Sequence, residues 1–257
     1  MPTPTRPQHP REVRPADPLI RWMVSPDAPA DLGVGSRIAA DGANVAWLGR
    51  ATRPQEAWVT GIGDDAAATA HLVEQLADEN PIDGVTVSEA VFPLLPPRLQ
   101  SPDPGRWCLW TLDPGTWDSG RFGGAVELDL DDPRIARLLQ HSTSAHTFPG
   151  DPRIVRWAGV EDEDRLLSVA GMTWEPSGAA HLLSVCTEPA HRGRGLAQTA
   201  CALLIDRAVE EGAPIIVLEM YTANESGRRA YSALGFSEVG RYCSGLLEHA
   251  LRDVPGN

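Results

Sequence analysis

The feature that most constrains this fold is a short loop of glycine and arginine between a strand-like segment and a long amphipathic one. Residues 181–187 have the apolar character of a strand, and residues 188–195 form the loop. Residues 196–211 then carry apolar side chains at helical spacing. A strand that leads through a short loop into a helix is typical of α/β domains. We therefore expect an α/β domain built around this loop.

The rest of the second half supports the same class of fold. Pro133 in a first turn predicts a helix at the start of this half, and Gly212 predicts the end of the helix after the loop. The order of predicted elements is helix, three strands, loop, helix, strand, helix and one or two last strands. The predicted helices are 132–141, 196–211 and 224–234, and the loop is 188–195. The predicted strands are 154–160, 166–174, 181–187 and 214–220, with one or two more in 236–247.

The first half repeats part of that order. Its predicted strands are 44–49, 56–62, 84–90 and 106–112, its predicted helix is 64–80, and a proline-rich segment lies at 93–105. An internal duplication explains this repeat, and so does a chance match between common α/β arrangements. Six prolines between Pro2 and Pro18 predict an irregular beginning. We therefore predict a disordered tail at 1–18, an α/β domain at 19–119 and a second domain at 120–257.

Composition limits the partners and the compartment. The net charge is −13, from 35 acidic and 22 basic residues, which argues against a nucleic-acid partner. Four cysteines occur without metal-ligand spacing, so we expect no metal and a reducing compartment. The first residues lack the apolar core of a secretory signal, and no segment has the length of a membrane span. We expect a cytoplasmic protein with no membrane partner, as a monomer or homodimer.

The glycine-arginine loop has the features of an anion site. The first N–H groups of a helix have no partner within it and lie at its positive end. Gly193 and Gly195 allow close approach of a ligand, and Arg192 and Arg194 can bind phosphate oxygens. A diphosphate suits this arrangement. The Walker pattern is absent, and Gln198 stands where a dinucleotide fingerprint requires glycine, so a nucleotide is disfavoured.

Two motifs in the second half resemble those of the GNAT acetyltransferase superfamily. Residues 192–197 (RGRGLA) match its R/Q-x-x-G-x-G/A signature, after a strand ending in valine and a P-x-x-R approach. Residues 224–236 are similar to its N-x-x-A-x-x-x-Y-x-x-x-G-F block, with Gly227 where alanine is commoner. The resemblance covers about residue 120 to the end. It implies a mixed, mostly antiparallel central sheet flanked by helices. For the smaller α/β domain that precedes it, a degenerate copy of this fold and a chance match both stay open.

The resemblance also implies a cofactor and its binding residues. Acetyl-CoA would place its diphosphate on the loop and its pantetheine arm between strand 181–187 and strand 214–220. Asn224 would bind the pantetheine, cap its own helix, or do both. Tyr231 would donate a proton to the departing thiolate, although packing or cofactor binding alone also explains a tyrosine there. The implied cofactor-binding residues are Val185, Thr187, Arg192, Gly193, Arg194, Gly195, Leu196, Ala197 and Asn224.

The resulting functional hypothesis is direct transfer of an acetyl group to a primary amine of a small molecule or peptide. A non-catalytic acyl-CoA-binding regulatory module is the alternative. Several groups are candidates for the general base, and proton removal through a water molecule also stays open; the candidates are Glu219, His181, Glu161 and Glu127. Residues 141–150 and 241–246 are expected near the acceptor; they include His141, His146, Phe148 and Tyr242.

Overall fold

The computed structural model describes residues 9–26, 38–50 and 57–251. By the density of its internal contacts, the chain divides into two compact units. The first unit is Met1–Cys108 together with Gly240–Asn257, and the second is Leu109–Val239. The predicted boundary near Gly120 lies inside the second unit, and the assignment of domains 1–18, 19–119 and 120–257 remains a prediction.

The first unit is an α/β arrangement in which strand order follows the chain. β1 pairs antiparallel with β2, β2 antiparallel with β3, and β3 parallel with β4, which pairs antiparallel with the last strand of the chain. The helix between β3 and β4 makes the crossover that a parallel pair requires. The elements are α1 (Pro10–Val13), α2 (Pro18–Met23), β1 (Ile38–Asp41), β2 (Asn44–Arg50), β3 (Ala57–Ile62), α3 (Ala66–Glu79) and β4 (Gly84–Ser88).

The prediction of an irregular first segment is wrong for the described residues that precede Leu19. Pro10 and Pro18 each stand in the first turn of a helix, where a missing N–H costs no helical hydrogen bond. The side chains of His9 and Asp17 cap the two helices. Prolines therefore start helices here instead of preventing them. Residues 1–8 lie outside the described residues.

The second unit contains the loop and its flanking elements. Its strands β6 to β9 form a consecutive antiparallel meander, and β10 is parallel to β9. Two strands, β5 and β11, have residues in both units. The elements are β5 (Gly105–Leu112), β6 (Val126–Leu128), α4 (Pro133–Leu139), β7 (Ile154–Asp162), β8 (Arg165–Trp174), β9 (Ala180–Thr187), α5 (Leu196–Glu210), β10 (Ile216–Tyr221), α6 (Glu225–Ala233) and β11 (Ser237–Leu246). The last helix, α7 (Glu248–Leu251), belongs to the first unit.

The core of the second unit holds the strands that carry the loop. α4 buries Ile135, Leu138 and Leu139 against Trp157 of β7 and neighbouring apolar side chains. α5 packs on β7, β8 and β9 through a face that includes the buried Leu204 and Ile205. The predicted mixed, mostly antiparallel sheet flanked by helices is confirmed. Burial of these helices fixes the direction of the loop that joins β9 to α5.

Candidate functional site

The first component of the site is a split between two parallel strands. β9 and β10 pair at only two positions, Ile216 with Ala180 and Val217 with His181. Beyond them, β9 continues to Thr187 and β10 continues to Tyr221 without further pairing to each other among the described residues. Backbone hydrogen-bonding groups on the facing edges are therefore available to a ligand.

A bulge in β9 accompanies this split. Ser184 has φ of 50°, in the left-handed region that residues with a side chain seldom adopt. The pairing of β9 with β8 shifts register there, between Val169 and Gly171. Ser184 Oγ donates a hydrogen bond of 2.7 Å to the Thr147 carbonyl, which holds the distorted residue in place. Such a bulge bends a strand and increases its local twist.

The second component is the start of α5. Gly195 is its N-cap residue, with φ of 79°, and no side chain caps the helix. Gly193 has φ of 76°, and a Cβ added there would meet nothing within 4 Å. The first N–H groups of α5 therefore face open space at the positive end of the helix. This is a fitting cradle for a diphosphate.

The loop arginines contribute differently. Arg192 donates from Nε to the Thr187 carbonyl at 3.2 Å and from Nη2 to the His141 carbonyl at 3.3 Å. These bonds brace the loop against the end of β9, while the Arg192 side chain stays exposed. Arg194 Nη1 lies 2.9 Å from His191 Nδ1. Arg192 is thus a structural brace as well as a candidate ligand of phosphate.

One cavity of about 690 Å³ joins the split to the start of α5. Arg194 is the predicted cofactor-binding residue that does not line it. The lining includes Val185, Thr187, Arg192, Gly193, Gly195, Leu196, Ala197, Asn224 and Tyr231. The structure therefore brings together residues that are distant in sequence.

Asn224 acts as the N-cap of α6. Its Oδ1 accepts hydrogen bonds from the Gly227 N–H at 2.8 Å and from Ser226 Oγ at 3.0 Å. A Cβ at Gly227 would lie 2.6 Å from Asn224 Nδ2 and 2.9 Å from Met220 Sδ. Glycine replaces the commoner alanine here because this tight turn has no room for a methyl group.

Tyr231 stands on the same face of α6 as Asn224 and lines the cavity. Its ring is half-buried and meets Phe236 edge-on, with the ring centroids 6.2 Å apart. Burial raises the pKa of the Tyr231 phenol, and the nearby Cys201 and Glu219 raise it further. The phenol therefore keeps its proton throughout the neutral range and can donate it.

The four candidates for the general base differ in the side chains that they contact. Glu161 pairs with Arg134 at 2.7 Å, and Glu127 pairs with Arg156 at 2.5 Å. His181 and Glu219 instead contact each other, with His181 Nε2 at 2.5 Å from Glu219 Oε2. Of the four candidates, His181 and Glu219 thus contact each other, whereas Glu161 and Glu127 lie in ion pairs with arginines, and the choice of general base stays a prediction.

Sequence reasoning missed one member of this cluster. Glu175 Oε1 lies 3.0 Å from His181 Nδ1 and accepts a hydrogen bond of 3.1 Å from Thr173 Oγ1. Glu175 follows directly after β8, while His181 is near the start of β9. The turn between these antiparallel strands is the sequence signal that could have placed the two side chains together.

Comparison with known proteins identifies this part of the chain. The model of the acetyltransferase (GNAT) family matches residues 123–236, which lie within the second unit. Residues 123–236 form a GNAT acetyltransferase domain. The loop, the start of α5, Asn224 and Tyr231 all belong to this GNAT domain.

Relatives and solved structures agree with the GNAT fold. A mycothiol acetyltransferase from Corynebacterium aurimucosum is 27% identical over 135 residues, which are 52% of this chain and 40% of that protein. A structure described as a GNAT-family acetyltransferase from Novosphingobium aromaticivorans has a TM-score of 0.52 and 24% identity, covering 73% of this chain and 83% of its own. A GCN5-related N-acetyltransferase from Kribbella flavida has a TM-score of 0.53 and 15% identity, and the match covers 83% of this chain and 90% of the Kribbella chain.

The segments expected near the acceptor fall in different places. Of residues 141–150, His141 lines the cavity of the GNAT domain, while His146 and Phe148 are exposed. Residues 241–246 belong to the first unit, where the buried Tyr242 packs on Trp107 with ring centroids 4.7 Å apart. The acceptor assignment of these segments stays a prediction.

Over the described ranges, the structure has no group of three or more His, Cys, Asp or Glu side chains placed to hold a metal ion. None of the helices in those same ranges combines the length and apolar character needed to cross a bilayer.

Proposed function

We propose that this chain transfers the acetyl group of acetyl-CoA directly to a primary amine of a small molecule or peptide. The observation that carries the proposal is the single cavity in which the split strands, the uncapped start of α5 and the protonated Tyr231 meet. An anion cradle alone would suit many ligands. Its combination with an open strand edge and a proton donor suits a thioester of a diphosphate-bearing carrier.

The residues present fit acetyl-CoA. Gly193, Gly195, Leu196 and Ala197 offer backbone N–H groups for the diphosphate, and Arg192 adds positive charge. Val185 and Thr187 on the open edge of β9 would pair with the amide groups of the pantetheine arm. When bound, acetyl-CoA supplies the activated acetyl group.

The residues of the chain then handle protons. Glu219 takes one proton from the ammonium form of the acceptor, so that the free amine attacks the carbonyl carbon. As the carbon–nitrogen bond forms and the carbon–sulfur bond breaks, Tyr231 donates its phenol proton to the departing sulfur. The second proton lost by the nitrogen returns to Tyr231, and Glu219 releases its own proton to water.

The curated relative supports acetyl transfer and leaves the acceptor open. Its name specifies mycothiol, but the chain spans 40% of that protein at 27% identity. We therefore propose only the broader class of primary amines. The acidic composition, with a net charge of −13, favours a cationic acceptor and disfavours nucleic acid. We further propose that the protein works as a monomer or homodimer without a metal.

The alternative is an acyl-CoA-binding regulatory module without activity. Isothermal titration with acetyl-CoA, ATP and NAD, followed by a thiol-release screen against amines, amino acids and peptides, separates these functions. We expect binding of acetyl-CoA alone, with turnover of at least one amine. Binding without release of thiol from any acceptor would support the regulatory module, and preferred binding of ATP or NAD would overturn both.

A further inference from the structure

The imidazole of His181 lies between two carboxylates. Its Nε2 is 2.5 Å from Glu219 Oε2, and its Nδ1 is 3.0 Å from Glu175 Oε1. The His181 side chain is 8% exposed, whereas those of Glu175 and Glu219 are 28% and 24% exposed. An imidazole with an acceptor on each nitrogen must carry both protons to satisfy both contacts. His181 is therefore a buried cation that two partly exposed anions enclose.

The electrostatics agree with this geometry. Burial acts against the charged imidazole, but the two carboxylates outweigh it and raise the pKa of His181 to about 10. Burial also acts against the charged form of Glu219, but the His181 cation outweighs it and lowers the pKa of that carboxyl group. At neutral pH the His181 imidazolium and the Glu219 carboxylate therefore carry opposite charges.

The cluster lies at the fork of the split strands. His181 is opposite Val217 in the last paired position of β9 and β10, and Glu219 is two residues farther along β10. A side chain two residues on is on the same face of a strand. Glu219 therefore lies on the unpaired part of β10, outside the set of residues that line the cavity but within electrostatic range of Tyr231.

We propose that His181 is a positioning residue, which holds the Glu219 carboxylate ionised and fixed in orientation at the fork so that it receives the ammonium group of the acceptor. This inference rests on the proposed acetyl transfer and narrows its acceptors to amines that arrive protonated. Glu219 gains one proton, and the ammonium nitrogen gains the lone pair with which it attacks. Glu175 fixes the opposite side of the imidazole ring.

Other titratable groups face this cluster. His146 acts on Glu219 in the same direction as His181 when it is protonated, and Tyr231 and Cys201 lie on the helices α6 and α5. Burial raises the pKa of the Cys201 thiol to about 12, and the Tyr231 phenol also stays neutral. Neither the phenol nor the thiol therefore accounts for a change in activity near neutral pH.

A double-mutant cycle tests the proposal. We expect His181→Gln to lower kcat/KM for the amine by about 10–100-fold, less than the about 10²–10⁴-fold loss from removing a proton acceptor with Glu219→Gln. In the Glu219→Gln background, His181→Gln should cost no more than about two-fold. Additive losses would overturn the proposal, because His181 would then act independently of Glu219. Glu210→Gln, at an exposed carboxylate paired with Arg207, is the matched control.

The pH profile gives a second readout that a purely structural role would not move. Without the His181 cation, the acidic limb of kcat/KM should shift upward by about 1–3 pH units, since an opposite charge at this distance lowers a carboxyl pKa by that amount. An unchanged limb in His181→Gln would contradict the positioning role. His146→Gln, measured in parallel, separates the contribution of the second histidine.

Nuclear magnetic resonance of the protein without ligand separates this proposal from the proposed function. The His181 ring should stay protonated from pH 6 to 9 and lose its proton at lower pH in Glu219→Gln. If the wild-type His181 ring instead lost its proton within this pH range, the positioning role would be overturned, even if amines are acetylated. This measurement on the wild type does not depend on whether His181→Gln folds. Failure of acetyl-CoA to bind, with a normal result for His181, would instead reject the acetyl transfer.

Discussion

Burial has opposite consequences for two proton-bearing residues of the site. For Tyr231 it raises the pKa and keeps the phenol neutral, as a proton donor requires. For His181 it opposes the charge, yet two carboxylates keep the ring protonated. His181 was a candidate general base, but a ring that already holds both protons cannot accept another. Glu219 is the base candidate that remains at the fork.

Replacement of Tyr231 by phenylalanine tests the proton donor. We expect Tyr231→Phe to lower kcat by about 10²–10⁴-fold, because the sulfur would leave without its proton. The Kd for acetyl-CoA should change little, since the ring and its contact with Phe236 remain. Thiol release and calorimetry measure the two effects. Equal kcat for the variant and the wild type across the pH range would exclude the donor role.

The raised pKa of His181 also predicts how stability depends on pH. Below pH 6.5 both the folded and unfolded forms carry the proton, and its stabilising contribution is complete. Between pH 6.5 and about 10 only the folded form binds it, so stability falls by about 1.4 kcal/mol per pH unit. Urea unfolding at pH 7 and 9 should show this loss for the wild type and a smaller one for His181→Gln.

At the scale of elements, two helices start in different ways. The Asp65 carboxylate caps α3 by accepting hydrogen bonds from the N–H groups of Ala67 and Ala68, at 2.9 and 3.0 Å. α5 has no such cap and starts from Gly195. A carboxylate cap satisfies and neutralises a helix end, whereas an uncapped end attracts an external anion. The second arrangement gives up local stability in favour of a ligand.

The glycine before α5 allows a test of this idea. Gly193→Ala should weaken acetyl-CoA binding because its φ of 76° costs about 1–2 kcal/mol for a residue with a Cβ. Gly120→Ala is the matched control, since it has φ of 88° and open space around it but lies outside the cavity. Both should lower Tm, and only Gly193→Ala should raise the Kd. If Gly193→Ala and the wild type bound acetyl-CoA with the same Kd, Gly193 would not contribute to the diphosphate site.

At the scale of the whole molecule, the two units have a similar order of elements but differ in strand pairing and in how their helices are capped. Each has antiparallel strands, a helix and then a parallel strand. In the first unit, β3 and β4 pair as far as Gly61 with Val87, close to the end of β3, and α3 is capped. In the second, pairing stops at His181 and α5 is uncapped. This shared order keeps the duplication open as an expectation.

This contrast predicts the stoichiometry of binding. Calorimetry should give one acetyl-CoA per chain, because the first unit has neither an open strand pair nor a free helix end at the corresponding place. Asp65→Ala should cost about 0.5–2 kcal/mol of stability and leave the stoichiometry unchanged. Two sites of similar affinity in the wild type would contradict this prediction.

Local patterns explain which parts were predictable. The range of α5 and the loop before it follow from neighbouring residues, so the sequence placed them correctly. The bulge at Ser184 depends on pairing between strands, which no local pattern encodes. The contact of Glu175 with His181 was missed, although the two residues lie on either side of the turn between β8 and β9. The short strands β1 and β6 were missed, although Asp41-Gly42 before Asn44 is a hairpin signal.

The split between β9 and β10 has a consequence for the exchange of backbone hydrogen with solvent. Amides on the open edge of β9, between Leu182 and Thr187, exchange readily when nothing pairs with them. A pantetheine arm laid along that edge would protect only those that point toward β10. Because strand amides alternate in direction, protection should appear at every second residue, with the alternation interrupted at the Ser184 bulge. Deuterium uptake would then map the path of the ligand through the sheet.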